Sequence, residues 1–399
     1  MTADAAAGRS AASRTGAAAL EFRGVTKRYG RGEQAHGAVN DLSFEIPSGA
    51  ICVLVGPSGC GKTTSLKMVN RLIEPTAGEI LLDGVNVLTE DVTALRRRIG
   101  YVIQQVGLFP HLTVGRNVAV VPALVGWSKG RQLARVDELL SLVGLDPASY
   151  RNRYPYQLSG GERQRVGVAR ALAADPPLML MDEPFAAVDP IVRERLQDEF
   201  LRLQRDLAKT ILFVTHDIDE AIKMGDFVAV MEEGGRLAQF GPPDEILAHP
   251  ASDFVARFVG ADRGLKRLSL VTIADLELAP LPASARAGLP TFTPSTKLRD
   301  ALSVLLAADS RGGIALDEEG QPCGFVTVDA IASALADDRQ PTATRPGGAT
   351  TTGVSAAAGD AKVTAADHAS AAAGDAKVTA TGVSAAAGDA KVTAAGGDS

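Results

Sequence analysis

Short apolar runs alternate with glycine-rich turns and charged amphipathic stretches over residues 21–260. Residues 51–55, 178–181 and 211–215 have the apolar composition of buried β-strands. Each run is followed by polar or glycine-rich residues, and open α/β sheets bind their ligands at the carboxyl ends of such strands. Strands that alternate with helices in this way predict an α/β sheet.

Two further stretches of this region predict helices. Apolar residues recur every three or four positions between residues 189 and 209, which indicates an amphipathic helix packed on the sheet. The positions are Val192, Leu196, Phe200, Leu203 and Leu207. Residues 108–157 break the strand alternation with a helical pattern and three prolines, Pro110, Pro122 and Pro147. We therefore expect an inserted helical subdomain there.

A second, smaller module follows over residues 261–340. Its pattern predicts a helix at 297–306, a strand at 314–316, a second strand at 324–328 and a helix that begins at 330–335. The order of these elements indicates a small α/β unit distinct from the larger domain.

The two ends of the chain have a different composition. Residues 1–20 are small and polar, and we expect a disordered leader without the apolar core of a signal peptide. Residues 341–399 lack Leu, Ile and aromatic residues, and an alanine-rich segment of eleven residues occurs there three times, at 355–365, 370–380 and 384–394. Such a segment buries too little apolar surface to offset its ordering entropy, so it predicts a disordered low-complexity tail.

Composition narrows the class of protein. The chain has 399 residues, of which 46% are hydrophobic and 22% charged, as in ordinary globular proteins. The net charge of −6 argues against non-specific electrostatic binding of nucleic acid by the chain as a whole. Three cysteines without metal-ligand spacing favour a reducing compartment. The sequence has no apolar run of about 18 residues, the length that a membrane-spanning helix needs.

A phosphate-binding motif follows the first apolar run. Residues 56–63 fit the P-loop pattern G-x4-G-K-[ST], and the expected nucleotide-binding residues are Gly56, Pro57, Ser58, Gly59, Cys60, Gly61, Lys62, Thr63 and Thr64. Glycines let backbone N–H groups curl around phosphate, and the helix that follows adds the partial positive charge of its N-terminus. Lys62 would reach the β- and γ-phosphates, and the Thr63 hydroxyl would bind Mg²⁺. The motif therefore predicts a phosphate-binding site, and further motifs are needed to name the class of NTPase.

Two adjacent carboxylates follow the second apolar run. Asp182 would hold Mg²⁺, directly or through water, and Glu183 would polarise the attacking water. Adjacent carboxylates are often only the solvated end of a strand. In a protein with a P-loop, their position after four apolar residues favours a place beside the γ-phosphate.

Ser159, Gly160 and Gly161 stand in the segment 158–162, Leu-Ser-Gly-Gly-Glu, which resembles the signature motif of ABC ATPases. The simpler interpretation is a helix start, with Ser159 as N-cap and Glu162 three residues later completing a capping box. Both interpretations can hold, because a helix N-terminus preceded by Ser and Gly also binds anions. In ABC ATPases this motif contacts the γ-phosphate of the nucleotide held by the other subunit.

Four other residues match family elements by their order and context. The resemblance implies that Tyr29 stacks on adenine, that Gln104 senses Mg²⁺ and the membrane partner, and that Asp189 belongs to the D-loop. It also implies that His216, at the end of the third apolar run, is the switch histidine that contacts the γ-phosphate. The candidate catalytic residues are therefore Glu183, His216, Gln104 and Lys62, and the candidate metal ligands are Thr63, Gln104 and Asp182.

Residues 21–260 as a whole resemble an ABC transporter ATP-binding subunit, which implies a P-loop NTPase cassette with a RecA-like core and a helical subdomain. Residues 100–113 and 262–270 resemble the branch that imports the osmoprotectants glycine betaine, choline, carnitine or proline. The resemblance implies a homodimer of ATP-binding subunits on the cytoplasmic face of the membrane, a separate permease and a solute-binding protein. An importer for polar amino acids or methionine is the alternative, and a non-transport ABC ATPase is a further one.

Residues 291–338 resemble one cystathionine-β-synthase (CBS) motif, with Gly324 to Thr327 fitting its strand pattern. Members of that family usually place an acid three residues after the Thr to bind a ribose, whereas this chain has Ala330 there and its acid at Asp329. Sensing of an adenine nucleotide and a purely stabilising role in the cassette dimer are both open at this point.

Overall fold

Three β-sheets organise the part of the chain that the structure describes. The structure is a computed structural model, and it describes residues 17–30, 36–103, 107–186, 189–282 and 288–336. The predictions of a disordered tail and of most of the leader lie outside the described residues. Within them, no helix has the length and apolar character needed to cross a membrane.

The elements follow one another in this order. The strands are β1 (Leu20–Tyr29), β2 (His36–Ile46), β3 (Ile51–Val55), β4 (Ala77–Leu82), β5 (Val85–Asn86), β6 (Ile99–Val102), β7 (Leu178–Asp182), β8 (Thr210–Val214), β9 (Phe227–Glu232), β10 (Arg236–Gly241), β11 (Thr291–Phe292), β12 (Gly312–Leu316) and β13 (Pro322–Thr327). The helices are α1 (Lys62–Val69), α2 (Val92–Arg97), α3 (Val114–Leu124), α4 (Lys129–Leu142), α5 (Pro147–Tyr150), α6 (Gly160–Leu172), α7 (Pro190–Leu207), α8 (Ile218–Met224), α9 (Pro243–Ala248), α10 (Asp253–Val259), α11 (Arg263–Leu268), α12 (Leu298–Ala307) and α13 (Val328–Ala336).

The central sheet has the strand order β10-β9-β3-β8-β7-β6. All neighbours pair in parallel except β10, which runs antiparallel to β9. Every residue of β3, β7 and β8 is buried, because helices cover a parallel sheet on both faces and leave no polar side to these strands. The predicted α/β sheet and its three apolar strands are confirmed.

A second sheet, of order β2-β1-β4-β5, is antiparallel. The expected alternation of strands with helices is incomplete here, because β1 and β2 are antiparallel neighbours in the sheet. Leu20 and Phe22 are buried on one face of β1, and the Phe22 ring stacks on Phe44 of β2 at a centroid distance of 4.6 Å. In strands with one buried face, apolar and polar residues alternate, whereas the strands of the central sheet have continuous apolar runs.

Helices α3, α4 and α5 lie between β6 and β7 in the chain and confirm the predicted helical subdomain. Side chains at their first turns satisfy amide groups that a helix leaves free: Thr113 accepts from the Arg116 amide, and Ser128 from the Arg131 amide. Leu139 and Val118 are fully buried in the same apolar core as Phe185, which follows β7. The subdomain is thereby packed against the central sheet domain.

The C-terminal module is a three-stranded sheet, β11-β12-β13, with α12 and α13. Its predicted helices and strands are confirmed close to their predicted bounds. Leu298, Leu305, Val326 and Ile331 are buried in a separate core, which Leu268 of α11 also joins. Helix α11 therefore connects the cassette to this module.

The buried parallel strands predict where stability resides. Replacing Leu54 of β3, which is 0% exposed, by Ala should lower the free energy of unfolding by about 2–5 kcal/mol through lost burial and a residual cavity. The matched change Leu124→Ala, at a side chain that is 71% exposed, should alter it by less than about 0.5 kcal/mol. Urea unfolding followed by circular dichroism compares the two, and equal effects would contradict this assignment of the core.

Candidate functional site

The loop between β3 and α1 is shaped by glycines in close contact with neighbouring strands. Gly61 is the N-cap of α1 with a φ of 94°, and a Cβ there would lie 2.2 Å from the carbonyl oxygen of Ala38. A Cβ on Gly56 would lie 2.2 Å from the carbonyl oxygen of Met231. Only glycine fits either position. The loop is thus held between β2 and β9, with its shape fixed by backbone contacts.

Lys62 lies inside this loop and is only 7% exposed. Its Nζ donates hydrogen bonds to the carbonyl oxygens of Gly56 at 2.7 Å and Pro57 at 2.9 Å, and it lies 3.7 Å from Cys60 Sγ. The ammonium group and the amino end of α1 concentrate positive charge at one point, as an anion site requires. Ser58 and Gly59 form the exposed tip of the loop, and Thr64 is half-buried in the first turn of α1.

Thr63 and Asp182 meet across the ends of α1 and β7. The Thr63 hydroxyl donates to Asp182 Oδ1 at 2.9 Å. Burial raises the pKa of Asp182 above its ordinary value, the hydrogen bond from Thr63 opposes that change, and the charge of Glu183 adds to it. A cation beside this carboxylate would offset the cost of its burial, and the hydroxyl and carboxylate oxygens are the hard ligands that Mg²⁺ prefers. The pair therefore fits a Mg²⁺ site.

Glu183 and His216 lie together at the ends of the neighbouring strands β7 and β8. Glu183 has a φ of 45°, which is unusual for a residue with a side chain, and its N–H donates to the carbonyl of Val214 at 2.9 Å. Its Oε1 lies 3.3 Å from His216 Nδ1, and the His216 side chain is 60% exposed. Strained backbone of this kind clusters at functional sites. The geometry gives a carboxylate in contact with an imidazole that faces solvent.

The segment from Ser159 to Glu162 begins α6, and the predicted capping box is confirmed. Ser159 Oγ accepts from the Glu162 amide at 3.3 Å, and Glu162 Oε2 accepts from the Ser159 amide at 2.7 Å. Ser159 and Gly160 are exposed, and a Cβ on Gly160 would point into open space. This helix end therefore presents its glycines and free amides to solvent.

Tyr150 supports this helix end, although no local pattern in the chain indicates such a contact. Its hydroxyl donates to Glu162 Oε1 at 2.6 Å, and this hydrogen bond is the largest cause of a lowered pKa for Glu162. The carboxylate therefore stays charged and compensates the positive end of the helix. Tyr150 belongs to α5, twelve residues upstream, so only the tertiary structure brings the two together.

Three predicted residues remain: Gln104, Tyr29 and Asp189. Gln104 is outside the described residues. Tyr29 ends β1, where it pairs with His36 of β2, and Lys27 Nζ lies 5.2 Å from the centre of its ring. Asp189 is exposed just before α7, and its carbonyl accepts from the Arg193 amide at 2.8 Å. The structure thus joins Thr63 with Asp182 and Glu183 with His216.

Comparisons with known proteins agree with this arrangement. The family description "ABC transporter" matches residues 39–186. The osmoprotectant import ATP-binding protein OsmV of Salmonella typhimurium is 49% identical over 308 residues, which are 77% of this chain and 78% of that protein. The carnitine transport ATP-binding protein OpuCA of Listeria monocytogenes is 46% identical, with 78% and 76% covered. The glycine betaine uptake system ATP-binding protein YehX of Escherichia coli is 46% identical, with 76% and 96% covered.

Solved structures show the same fold. A dimeric structure of the ATP-binding cassette MJ0796, bound to ADP and Pi, is 33% identical with a TM-score of 0.51, covering 56% of this chain and 98% of that one. CbiO1 of Clostridium perfringens, part of an ABC transporter complex, is 27% identical with a TM-score of 0.53, covering 58% and 91%. With the P-loop, the paired strand ends and the capped signature helix in place, the chain belongs to the family of ABC transporter ATP-binding proteins.

Proposed function

We propose that this chain hydrolyses ATP to energise an importer of quaternary-amine osmoprotectants. The observation that carries the ATPase role is the contact of Glu183 with His216 directly after the Thr63–Asp182 pair. One strand end supplies a metal ligand and a base, and the next supplies a group that can sense the γ-phosphate. The names of the relatives, which are those of osmoprotectant, carnitine and glycine betaine systems, support the substrate class.

Each side chain has a distinct task in this proposal. Lys62 and the amides of the P-loop bind the β- and γ-phosphates, and Tyr29 stacks on adenine. Thr63 and Asp182, with Gln104, hold Mg²⁺, which neutralises charge on the phosphate oxygens when it is bound. Glu183 accepts a proton from the attacking water, and His216 orients the γ-phosphate from the neighbouring strand.

The site is completed by a second copy of the chain. Ser159, Gly160 and Gly161 offer an exposed helix end to the nucleotide of the partner subunit, and Asp189 lies at the start of α7 near the same interface. The dimeric cassette structure with 33% identity supports this arrangement. Each of two sites would then contain one P-loop and one signature helix from different subunits, and ATP would close the dimer.

The proposed dimer acts from the cytoplasmic face of the membrane on a separate permease, with a solute-binding protein delivering the substrate. The relatives named for transport support this assignment. No part of the described chain is proposed to touch the transported solute. We propose domains at 21–260 for the cassette and 261–340 for the C-terminal module.

We propose that the C-terminal module is CBS-like, because α12, β12, β13 and α13 follow the order that the sequence predicted. The Thr327 hydroxyl accepts from the Ala330 amide at 3.0 Å and is thus used to start α13. The position that would bind a ribose carries only the methyl group of Ala330. These features favour a structural role for the module over nucleotide sensing.

Removal of the proposed base tests the reaction. Glu183→Gln keeps the shape of the side chain but removes its basicity, and we expect phosphate release to fall by about 10²–10⁴-fold while an ATP-bound dimer accumulates. Glu45→Gln, on the exposed surface of β2, is the matched control and should behave as wild type. Phosphate release and light scattering with ATP measure both effects. Wild-type turnover in Glu183→Gln would exclude the proposed role.

Loss of the Thr63 hydroxyl tests the metal site. Thr63→Ala should raise the Mg²⁺ concentration for half-maximal ATP hydrolysis by about 10–100-fold, as loss of a metal-site contact does, whereas Thr63→Ser keeps the hydroxyl and should stay near wild type. ATP binding in EDTA should change little in either variant. An unaltered Mg²⁺ requirement in Thr63→Ala would show that Thr63 is not a metal ligand.

Competition uptake tests the substrate class. In cells that carry the chain with its permease and binding protein, unlabelled glycine betaine, choline or carnitine should reduce uptake of labelled betaine, and polar amino acids or methionine should leave it unchanged. The reverse pattern would favour the amino-acid importer. Co-purification of the chain with ribosomes or DNA instead of a membrane protein would favour a non-transport ATPase.

A further inference from the structure

The turn that carries His216 is fixed to the first turn of α8. The Thr215 hydroxyl accepts from the Asp217 amide at 3.1 Å, and the Asp217 carboxylate accepts from the amides of Asp219 at 2.9 Å and Glu220 at 3.3 Å. These hydrogen bonds make residues 215–220 one local unit, which we call the switch turn. A displacement of the start of α8 would therefore displace His216 relative to Glu183.

One face of α8 is held by α7. The Gln197 amide donates to Glu220 Oε1 at 2.9 Å in a buried contact, and Lys223 Nζ lies 2.8 Å from Asp198 Oδ1. Asp219 is not part of this contact. Its carboxylate, 69% exposed, instead meets Lys266 of α11 with an Nζ to Oδ1 distance of 3.2 Å. The start of α8 is thus tied to a second, different element.

Lys266 is placed to act on the switch turn. It is only 9% exposed, and lysine is rarely buried unless its charge is paired. Its ammonium contacts Asp219 Oδ1, Asp262 Oδ1 at 3.1 Å and the carbonyl oxygen of Val259 at 2.8 Å. Three acceptors match the three N–H groups of an ammonium. The side chain is therefore held in one position, and each N–H group of its ammonium has an acceptor.

Helix α11, which carries Lys266, is anchored on its other side to the C-terminal module. Arg267 Nη1 donates to the carbonyl oxygen of Leu335 in α13 at 2.9 Å, and Leu268 is buried in the core of that module. Neighbouring residues of one short helix therefore contact the switch turn and the module. The position of α11 sets the position of the Lys266 ammonium.

We propose that Lys266 is a positioning residue for ATP hydrolysis: through its ion pair with Asp219 it holds the switch turn so that His216 stays beside Glu183. The proposal rests on the function proposed above, in which His216 acts on the γ-phosphate. It also gives the C-terminal module a physical route to the ATPase site, since α11 contacts both Asp219 and α13.

Paired substitutions at the two carboxylates test this proposal in the full-length chain. Asp219→Asn should lower kcat for phosphate release about three- to tenfold, the size expected for a lost charged contact, while KM for ATP changes less than about twofold. Asp262→Asn removes the other carboxylate of Lys266 without touching the switch turn and should keep the wild-type kcat. Asp219→Glu should restore most of the activity, and Lys266→Met should reproduce the Asp219→Asn defect.

A His216→Ala background distinguishes positioning from general stability. There, Asp219→Asn should cause no further loss of kcat, because the residue that it positions is absent. An added loss in that background, or equal effects of Asp219→Asn and Asp262→Asn, would overturn the proposal. If His216→Ala lowers kcat while Asp219→Asn keeps the wild-type kcat, only the proposed role of Lys266 fails. Wild-type turnover in His216→Ala would contradict the proposed function itself.

Discussion

Parallel pairing of β3, β8 and β7 is the constraint on which the rest of the site depends. Ile51 pairs with Ile211, and Asp182 pairs with Val214, so the three strands end at one edge of the sheet. The P-loop follows β3, Asp182 and Glu183 lie at the end of β7, and His216 follows β8. Because side chains alternate between the faces of a strand, a shift of one residue would turn Asp182 away from Thr63.

Burial of the strands also affects the charged groups of the site. Asp182 closes a strand whose every residue is buried, and burial raises its pKa. Lys62 is almost fully covered within the glycine loop. Charges in such surroundings interact more strongly than in water, so the apolar core that stabilises the sheet would also strengthen the contacts with phosphate and metal that are proposed for this site.

Local features of the fold and site could be predicted from the sequence, whereas long-range contacts outside the motifs could not. The P-loop, the apolar strands and the Ser159–Glu162 capping box depend on neighbouring residues, so their patterns are visible in the chain. The order of motifs also indicated Thr63 and Asp182 as partners, although 119 residues separate them. The antiparallel sheet was missed because strands with one buried face lack the long apolar runs of β3, β7 and β8.

Outside the motifs, contacts between side chains of distant elements were not predicted. Tyr150 is an ordinary helical residue in the sequence, and its hydrogen bond to Glu162 follows from the packing of α5 beside α6. Lys266 lies in a basic segment that resembles many solvated helix faces. Asp262 is a local partner four residues before Lys266, but the contact with Asp219 of α8 depends on tertiary packing, which no local pattern encodes.

In the proposed dimer, each ATPase site combines the P-loop of one copy with the signature helix of another. Mixing two inactive variants tests it directly: Lys62→Ala, which lacks the P-loop ammonium, and Gly160→Asp, which adds a negative charge where a Cβ has open space. Random pairing gives mixed dimers with one intact composite site, so the mixture should recover roughly a quarter of wild-type turnover if sites act independently. A mixture as inactive as its two components would contradict the account.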